Sequence, residues 1–106
     1  MPGPLPPRFM ATPGGGGTVI VLLSGELDIG NRCWLARRLA EIVEQQPRRL
    51  VFDMAEVGFA DCASVRLIVG TGRSLPDRSR PVISRPGPVV RRVLQVTGLD
   101  TLCDLT

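Results

Sequence analysis

The chain has 106 residues, of which 43% are hydrophobic and 22% charged, as expected for one small globular domain. It contains no histidine, and its 13 basic residues are all arginine, which gives a net charge of +3. These features exclude a histidine general base or metal ligand, a Schiff-base lysine and a P-loop lysine. The arginines are scattered among 10 acidic residues with no aromatic stacking platform, so we expect no direct contact with nucleic acid.

The three cysteines, Cys33, Cys62 and Cys103, form no CxxC pair, which argues against a disulfide framework and against a zinc site. We therefore expect no bound metal and no cofactor, with Cys33 and Cys103 packed as small apolar side chains. The longest apolar run near the start, 19–23, is too short for a signal sequence or a membrane span. A cytoplasmic, reduced location without membrane insertion is the resulting expectation.

The beginning of the chain predicts a tail followed by a β-hairpin. Residues 1–7 are rich in proline, which predicts a loose tail, and the folded domain is expected over 8–106. We predict a short first strand over 8–11 and a flexible hairpin tip in the glycine tract 14–17. The β-branched run 18–23 is apolar on both faces, a pattern typical of a strand buried in the middle of a sheet.

The next segment predicts a first helix that packs on the sheet. Asp28 or Asn31 caps this helix, which runs to about Gln46 before Pro47. Trp34 is predicted to pack on the core, with an exposed partner contact as the alternative. The helical spacing predicts an apolar stripe formed by Leu35, Leu39, Ile42 and Val43.

Two more strand–helix units follow. Residues 50–52 predict a second buried strand, which Asp53 closes. A turn and a short apolar segment follow, and Asp61 then opens a second helix. Its inward face is formed by Val65, Ile68 and Val69. A third strand is predicted over 81–84, and a third helix begins at Pro88 and ends at Gly98, with a stripe of Val89, Val93 and Leu94. Residues 99–105 predict a last strand. The fold class is α/β: a mixed sheet of four to five strands with parallel neighbours and three to four helices.

Three motifs in this order carry a family resemblance. They are Gly25-Glu26-Leu27-Asp28 after a buried strand, Leu50-Val51-Phe52-Asp53 followed by Val57, Phe59, Ala60 and the helix-opening Asp61, and Gly98-Leu99-Asp100 after an amphipathic helix. Together they resemble the STAS domains of bacterial anti-sigma factor antagonists, over about 9–105. Those domains read G-E-L-D, then strand-Asp, a hydrophobic turn and Asp-Ser-Ser/Thr-Gly, and finally a helix that closes in Thr/Ser-Gly-Leu.

The resemblance implies a binding switch and not an enzyme. Such domains bind an anti-sigma factor, often a serine kinase with a GHKL-type ATPase fold, and so release a sigma factor that regulates transcription. The kinase phosphorylates the first serine after the helix-opening aspartate, and the modified domain dissociates. Carried onto this sequence, the partner-binding residues are Asp28, Asp61, Cys62, Ala63 and Ser64.

The sequence departs from the family pattern at the switch itself. Cys62 stands where the phosphorylated serine is expected, Ala63 replaces a second hydroxyl residue, and Ser64 replaces a glycine. A serine kinase cannot phosphorylate Cys62 in the usual way. Three interpretations stay open: an inert replacement in a permanently binding-competent domain, a redox-sensing thiol, or a switch that has moved to Ser64.

Other interpretations of these residues also stay open. Asp28 acts as a helix cap alone, or as a cap that also contacts a partner. Asp61 acts as a cap alone, or also orients its neighbour. A STAS module of another complex, in lipid transport or signalling, is the alternative function, because fold similarity alone does not fix a partner. A thiol enzyme is disfavoured because the chain has no histidine to activate Cys62. The oligomeric state does not follow from the sequence.

Overall fold

A computed structural model of the protein describes residues 6–106. Its strands are β1 (Arg8–Gly15), β2 (Thr18–Leu27), β3 (Arg49–Ala60), β4 (Val82–Ser84) and β5 (Asp104–Leu105). Its α-helices are α1 (Arg32–Glu44), α2 (Cys62–Gly70) and α3 (Pro88–Thr97), and short 3-10 turns occupy Ile29–Asn31, Thr71–Ser74 and Leu99–Leu102. Most of the predicted tail, 1–5, lies outside the described residues.

The five strands form one mixed sheet in the order β1-β2-β3-β4-β5. A tight turn joins β1 to β2, so these two strands are antiparallel. The remaining neighbours are parallel, because helical connections carry the chain back to the same end of the sheet each time. The predicted α/β class and mixed sheet are confirmed.

The core lies on one face of this sheet, and all three helices pack there. Alternate residues of β2, such as Val21 and Leu23, are fully buried, whereas Leu22 between them is 38% exposed. The prediction that the 18–23 run is buried on both faces is therefore wrong. Helices cover only one face, and the opposite face, which includes Met10, is open.

Helix α1 packs largely as its spacing predicts, with Leu35, Leu39 and Ile42 buried, although Val43 of the predicted stripe is only half-buried. Trp34 packs against the same core, in edge-to-face contact with Phe9 at 6.3 Å between ring centroids, which confirms its predicted place. The prediction for Cys33 is wrong, because its side chain is exposed in the first turn of the helix. Cys103, in contrast, is buried as predicted.

Other elements differ from the prediction in extent or phase. Strand β3 continues through Asp53 as one strand, where the sequence predicted a turn, and β1 extends to Gly15. On α3 the buried positions are Val90 and Leu94, whereas Val89 is 43% exposed. Valines occupy several neighbouring positions of this helix, so apolar spacing alone did not determine which of them faces the sheet.

The ends of α3 follow the sequence signals. Pro88 occupies the first turn, where its missing N–H leaves no hydrogen bond unmade. Gly98 ends the helix with φ 75°, in the left-handed region that a side chain disfavours. Its N–H donates to the Gln95 carbonyl, so the predicted C-terminal cap is confirmed. The predicted last strand divides into a 3-10 turn and the two-residue β5.

Candidate functional site

The candidate site lies where β2 and β3 end side by side. The two strands are parallel and, after two register shifts, pair up to their last residues, Leu27 and Ala60. The residues that follow, Asp28 and Asp61, therefore leave the sheet at the same edge. The N–H of Asp61 donates to the carbonyl of Leu27 at 3.0 Å, extending the pairing by one residue. Two segments that are 33 positions apart in sequence (28 and 61) thus form one surface.

Asp61 links the beginnings of two helices. Its backbone is extended (φ −78°, ψ 169°), and its Oδ1 accepts from the N–H of Ser64 at 2.8 Å, so it is the N-cap of α2. Its Oδ2 forms an ion pair with Nη2 of Arg32, the first residue of α1, at 2.8 Å. The Arg32 side chain is 34% exposed and that of Asp61 27%, so the pair sits at the rim of the core. The beginnings of α1 and α2 are therefore joined through a single carboxylate.

The same contacts set the ionisation of Asp61. Burial is the largest influence and by itself raises the pKa of this carboxyl. Hydrogen bonds from Ser64 and from the Arg32 guanidinium together outweigh burial, so the pKa of Asp61 lies below its ordinary value of 3.8. The carboxylate is therefore ionised at neutral pH and presents a fixed negative charge beside Cys62.

Asp28 organises the loop that follows β2. Its side chain accepts from the N–H of Gly30 at 2.9 Å, and its own N–H donates to the side-chain oxygen of Asn31 at 3.1 Å. The Asn31 amide in turn donates to the Glu26 carbonyl at 2.7 Å. This reciprocal capping box holds the Ile29–Asn31 turn in front of α1. Asp28 therefore caps the 3-10 turn and not α1 as predicted, because α1 begins after Asn31 without a side-chain cap. Contact of Asp28 with a partner stays a prediction.

The three residues after Asp61 differ in accessibility. Cys62 is exposed at the first position of α2, and Ala63 is half-buried. Ser64 is completely buried, and within 6–106 its Oγ has no hydrogen-bond partner. A kinase or partner reaches the Ser64 side chain only if this turn of α2 opens. In the observed conformation, only Cys62 and Ala63 of these three residues are accessible to another molecule.

Two exposed apolar side chains at this edge were not among the predicted site residues. Ile29 is 78% exposed, and Phe59 is 41% exposed one residue before the end of β3. The sequence does indicate that Ile29 is exposed, because it stands between Asp28 and Gly30 and is not part of any apolar repeat that faces the core. The Arg32–Asp61 pair has no such signal, because the two residues meet only through the fold.

Asp53, another carboxylate of the family motif, lies away from this surface. It sits within β3 on the open face of the sheet, where it accepts from the N–H of Ala55 at 3.1 Å and pairs with Arg85. The hydrogen bond from Arg85 is the main reason why the pKa of Asp53 lies below its ordinary value. Between residues 6 and 106, no cluster of three or more Cys, Asp or Glu side chains has metal-binding geometry. No helix in the same range is long and apolar enough to cross a membrane.

These features define the class of protein. The chain matches the STAS domain family over residues 10–105 and belongs to that family. The long β3, the aspartate that caps α2 and the glycine that ends α3 are the structural counterparts of the sequence motifs that carried the resemblance.

Several known proteins are similar to the chain. It is 25% identical over 84 residues to the anti-sigma-F factor antagonist RsfB of Mycobacterium tuberculosis, which is 79% of this chain and 69% of RsfB. An anti-sigma factor antagonist of Mycobacterium paratuberculosis superposes with a TM-score of 0.84 at 25% identity, covering 94% of this chain and 85% of that protein. Unphosphorylated SpoIIAA, an anti-sigma factor antagonist, superposes with a TM-score of 0.75 at 24% identity over 93% of this chain and 88% of SpoIIAA, which shows a shared fold.

Proposed function

We propose that the protein is an anti-sigma factor antagonist, which binds an anti-sigma factor in the cytoplasm and so releases a sigma factor. Membership of the STAS family and similarity to proteins named as such antagonists support this proposal. The role is one of binding and not of catalysis. The observation that carries it is the surface formed by Asp28, Asp61, Cys62 and Ala63, which two strand ends and one ion pair hold together.

The chemistry of this surface suits a protein partner. Exposed Ile29 and Phe59 offer apolar area, and they lie one and two residues along the chain from Asp28 and Asp61, whose carboxylates are fixed by caps. Interfaces commonly combine a desolvated apolar centre with a polar rim. A partner with an apolar patch flanked by arginine or lysine side chains is complementary to this arrangement.

Cys62 determines how such binding is regulated. We further propose that the anti-sigma factor is a serine kinase of the GHKL type, and that Cys62 occupies the position of the serine that such a kinase phosphorylates. A thiol does not accept the phosphoryl group as a serine hydroxyl does, and the alternative hydroxyl, on Ser64, is buried. The protein therefore stays binding-competent in the presence of the active kinase.

A charge placed at Cys62 tests the surface. Cys62→Asp adds a carboxylate at the first position of α2, and we expect at least about tenfold weaker binding to the anti-sigma factor because of repulsion and desolvation. Val89→Asp is the matched control, because it adds the same charge in the first turn of α3 at an exposed position. Titration calorimetry with the kinase-type anti-sigma factor of the same genome measures both variants. Equal affinities of Cys62→Asp and wild type would show that this surface is not the interface.

A kinase assay tests the regulation. After incubation with the anti-sigma factor and ATP, we expect no phosphoryl group on the wild-type protein and one on the Cys62→Ser variant, as located by mass spectrometry. Phosphorylation of wild-type Ser64 would instead place the switch there and require opening of the helix. If native extract yields lipid-transport or other signalling components and no anti-sigma factor, the STAS module serves a different complex.

A further inference from the structure

A cleft of about 350 Å³ opens at the end of α2 opposite to Cys62. The last turn of α2 and the Thr71–Ser74 turn form one wall, and the 78–81 loop forms the other. Apolar side chains from α2 and from the Leu99–Leu102 turn line its floor: Val69, Leu99 and Leu102. Its volume is within the range of small-molecule sites, roughly 300 to 1,000 Å³.

The charged side chains that line this cleft are all basic. Four arginines line it, namely Arg66, Arg73, Arg78 and Arg80, and no acidic residue does. Arg80 pairs with Asp104 at 3.2 Å and donates to the Cys103 carbonyl at 3.0 Å. In the described part of the chain, Arg66, Arg73 and Arg78 form no ion pair. The carbonyl end of α2 carries only about half a negative charge, so the three arginines without an ion pair leave the lining of the cleft with a net positive charge.

The walls of the cleft are held in place by packing. Gly72 touches the opposite wall so closely that an added Cβ would lie 2.6 Å from the Ser79 carbonyl oxygen and 2.7 Å from Cδ of Pro81. The Ser79 hydroxyl donates to the Arg48 carbonyl at 2.8 Å and fixes the far side of the loop. Arg78 adopts a left-handed conformation (φ 47°), which a residue other than glycine adopts at a cost. The arginines are thus presented on a formed cleft and not on a loose loop.

We propose that this arginine cleft binds a small organic phosphate. The guanidinium groups match phosphate oxygens in geometry, and a dianion compensates the unpaired positive charges better than a carboxylate does. The apolar floor suits the body of the molecule, so the occupant carries a phosphate on an apolar or aromatic group. This site is separate from the proposed partner surface, since it lies at the other end of α2.

Binding of 1-naphthyl phosphate, followed by amide chemical shifts of the full chain, tests the proposal. We expect saturable shifts centred on 66–81 and 99–102, weaker binding of inorganic phosphate, and no binding of 1-naphthol at equal concentration. The double variant Arg66→Gln/Arg73→Gln should weaken naphthyl phosphate binding by about tenfold or more. Leu102→Ala should weaken naphthyl phosphate but not inorganic phosphate.

A charge-matched variant distinguishes binding in the cleft from nonspecific attraction of the anionic ligand to the positively charged protein. Arg37→Gln/Arg91→Gln removes the same charge from two exposed positions that do not line the cleft, and it should bind naphthyl phosphate as wild type does. Equal losses in the two double variants would reduce the effect to net charge and overturn the proposal. Shifts confined to other regions, absence of binding, or equal binding of 1-naphthol would overturn it as well. The proposed anti-sigma factor interaction is unaffected by any of these results.

Discussion

Asp61 makes two separable contributions to stability, and substitutions at this one position measure each of them. Asp61→Ala removes the cap of α2, worth about 1 kcal/mol, and the ion pair with Arg32, worth about 0.5 to 1 kcal/mol at this partial exposure. We therefore expect the free energy of unfolding to fall by about 1.5 to 2 kcal/mol. Asp61→Asn keeps an oxygen that caps the helix and loses only the charge, so its cost is about 0.5 to 1 kcal/mol.

The pH dependence of these variants provides a second test. Because the pKa of Asp61 is lower in the folded state than its ordinary value of 3.8, ionisation stabilises the fold above that value. This contribution is lost as the pH falls through the folded-state pKa. Urea unfolding at a series of pH values should therefore show the difference between wild type and Asp61→Asn shrinking at acidic pH.

Two outcomes would refute the reasoning on Asp61. Equal costs for Asp61→Ala and Asp61→Asn would show that the side-chain cap contributes nothing. A difference between wild type and Asp61→Asn that stays constant down to acidic pH would show that the ion pair does not perturb the carboxyl. Asp77→Asn serves as the control, because Asp77 is exposed and forms no ion pair within 6–106, and it should change stability by less than about 0.5 kcal/mol.

The remaining predictions concern the thiols and the end of α3. In the native protein, Cys33 and Cys62 are exposed and should react promptly with Ellman's reagent, whereas Cys103 is buried and burial raises the pKa of its thiol, so it should react only on unfolding. Prompt reaction of all three thiols would contradict this burial pattern. Gly98→Ala should cost about 1 kcal/mol in urea unfolding, because Gly98 has φ 75°. Gly58→Ala, where an added Cβ meets nothing within 4 Å, is the control, and a loss as large as that of Gly98→Ala would contradict the conformational explanation.

Much of the fold follows from local signals in the sequence. The caps at Asp61 and Gly98 were predictable, because aspartate is strongly preferred just before a helix and glycine just after one. The buried side of α1 was equally clear, because its apolar residues repeat at helical spacing against a polar background. Local chemistry and tertiary structure agree at these positions.

The errors occur where several positions have similar chemistry or where the tertiary environment decides. Val89 and Val90 are interchangeable by composition, and packing against the sheet selects Val90. Asp53 suggested a strand end, but its side chain points to the open face and pairs with Arg85, so β3 continues past it. Leu22 lies on the same open face of the sheet as Asp53 and is exposed because no helix covers that face.

The candidate site shows the same division between local and long-range information. The sequence motifs indicated Asp28, Asp61 and Cys62, each of which the structure brings to one edge of the sheet. The burial of Ser64 depends on the packing of α2, and the contact of Asp61 with Arg32 joins residues 29 positions apart. Ser64 shares the helical spacing of the buried stripe of α2, four positions before Ile68, whereas the contact of Asp61 with Arg32 has no local sequence signal.

The ion pair between Arg32 and Asp61 has a consequence for the entropy of association. Together with the Asp61 N–H···Leu27 hydrogen bond, it fixes the loop after β2 and the start of α2 relative to each other before any partner arrives. A preorganised surface loses little conformational freedom on binding, so more of the contact energy appears as affinity. Loss of Arg32 would therefore weaken association even if the partner never touches Arg32 itself.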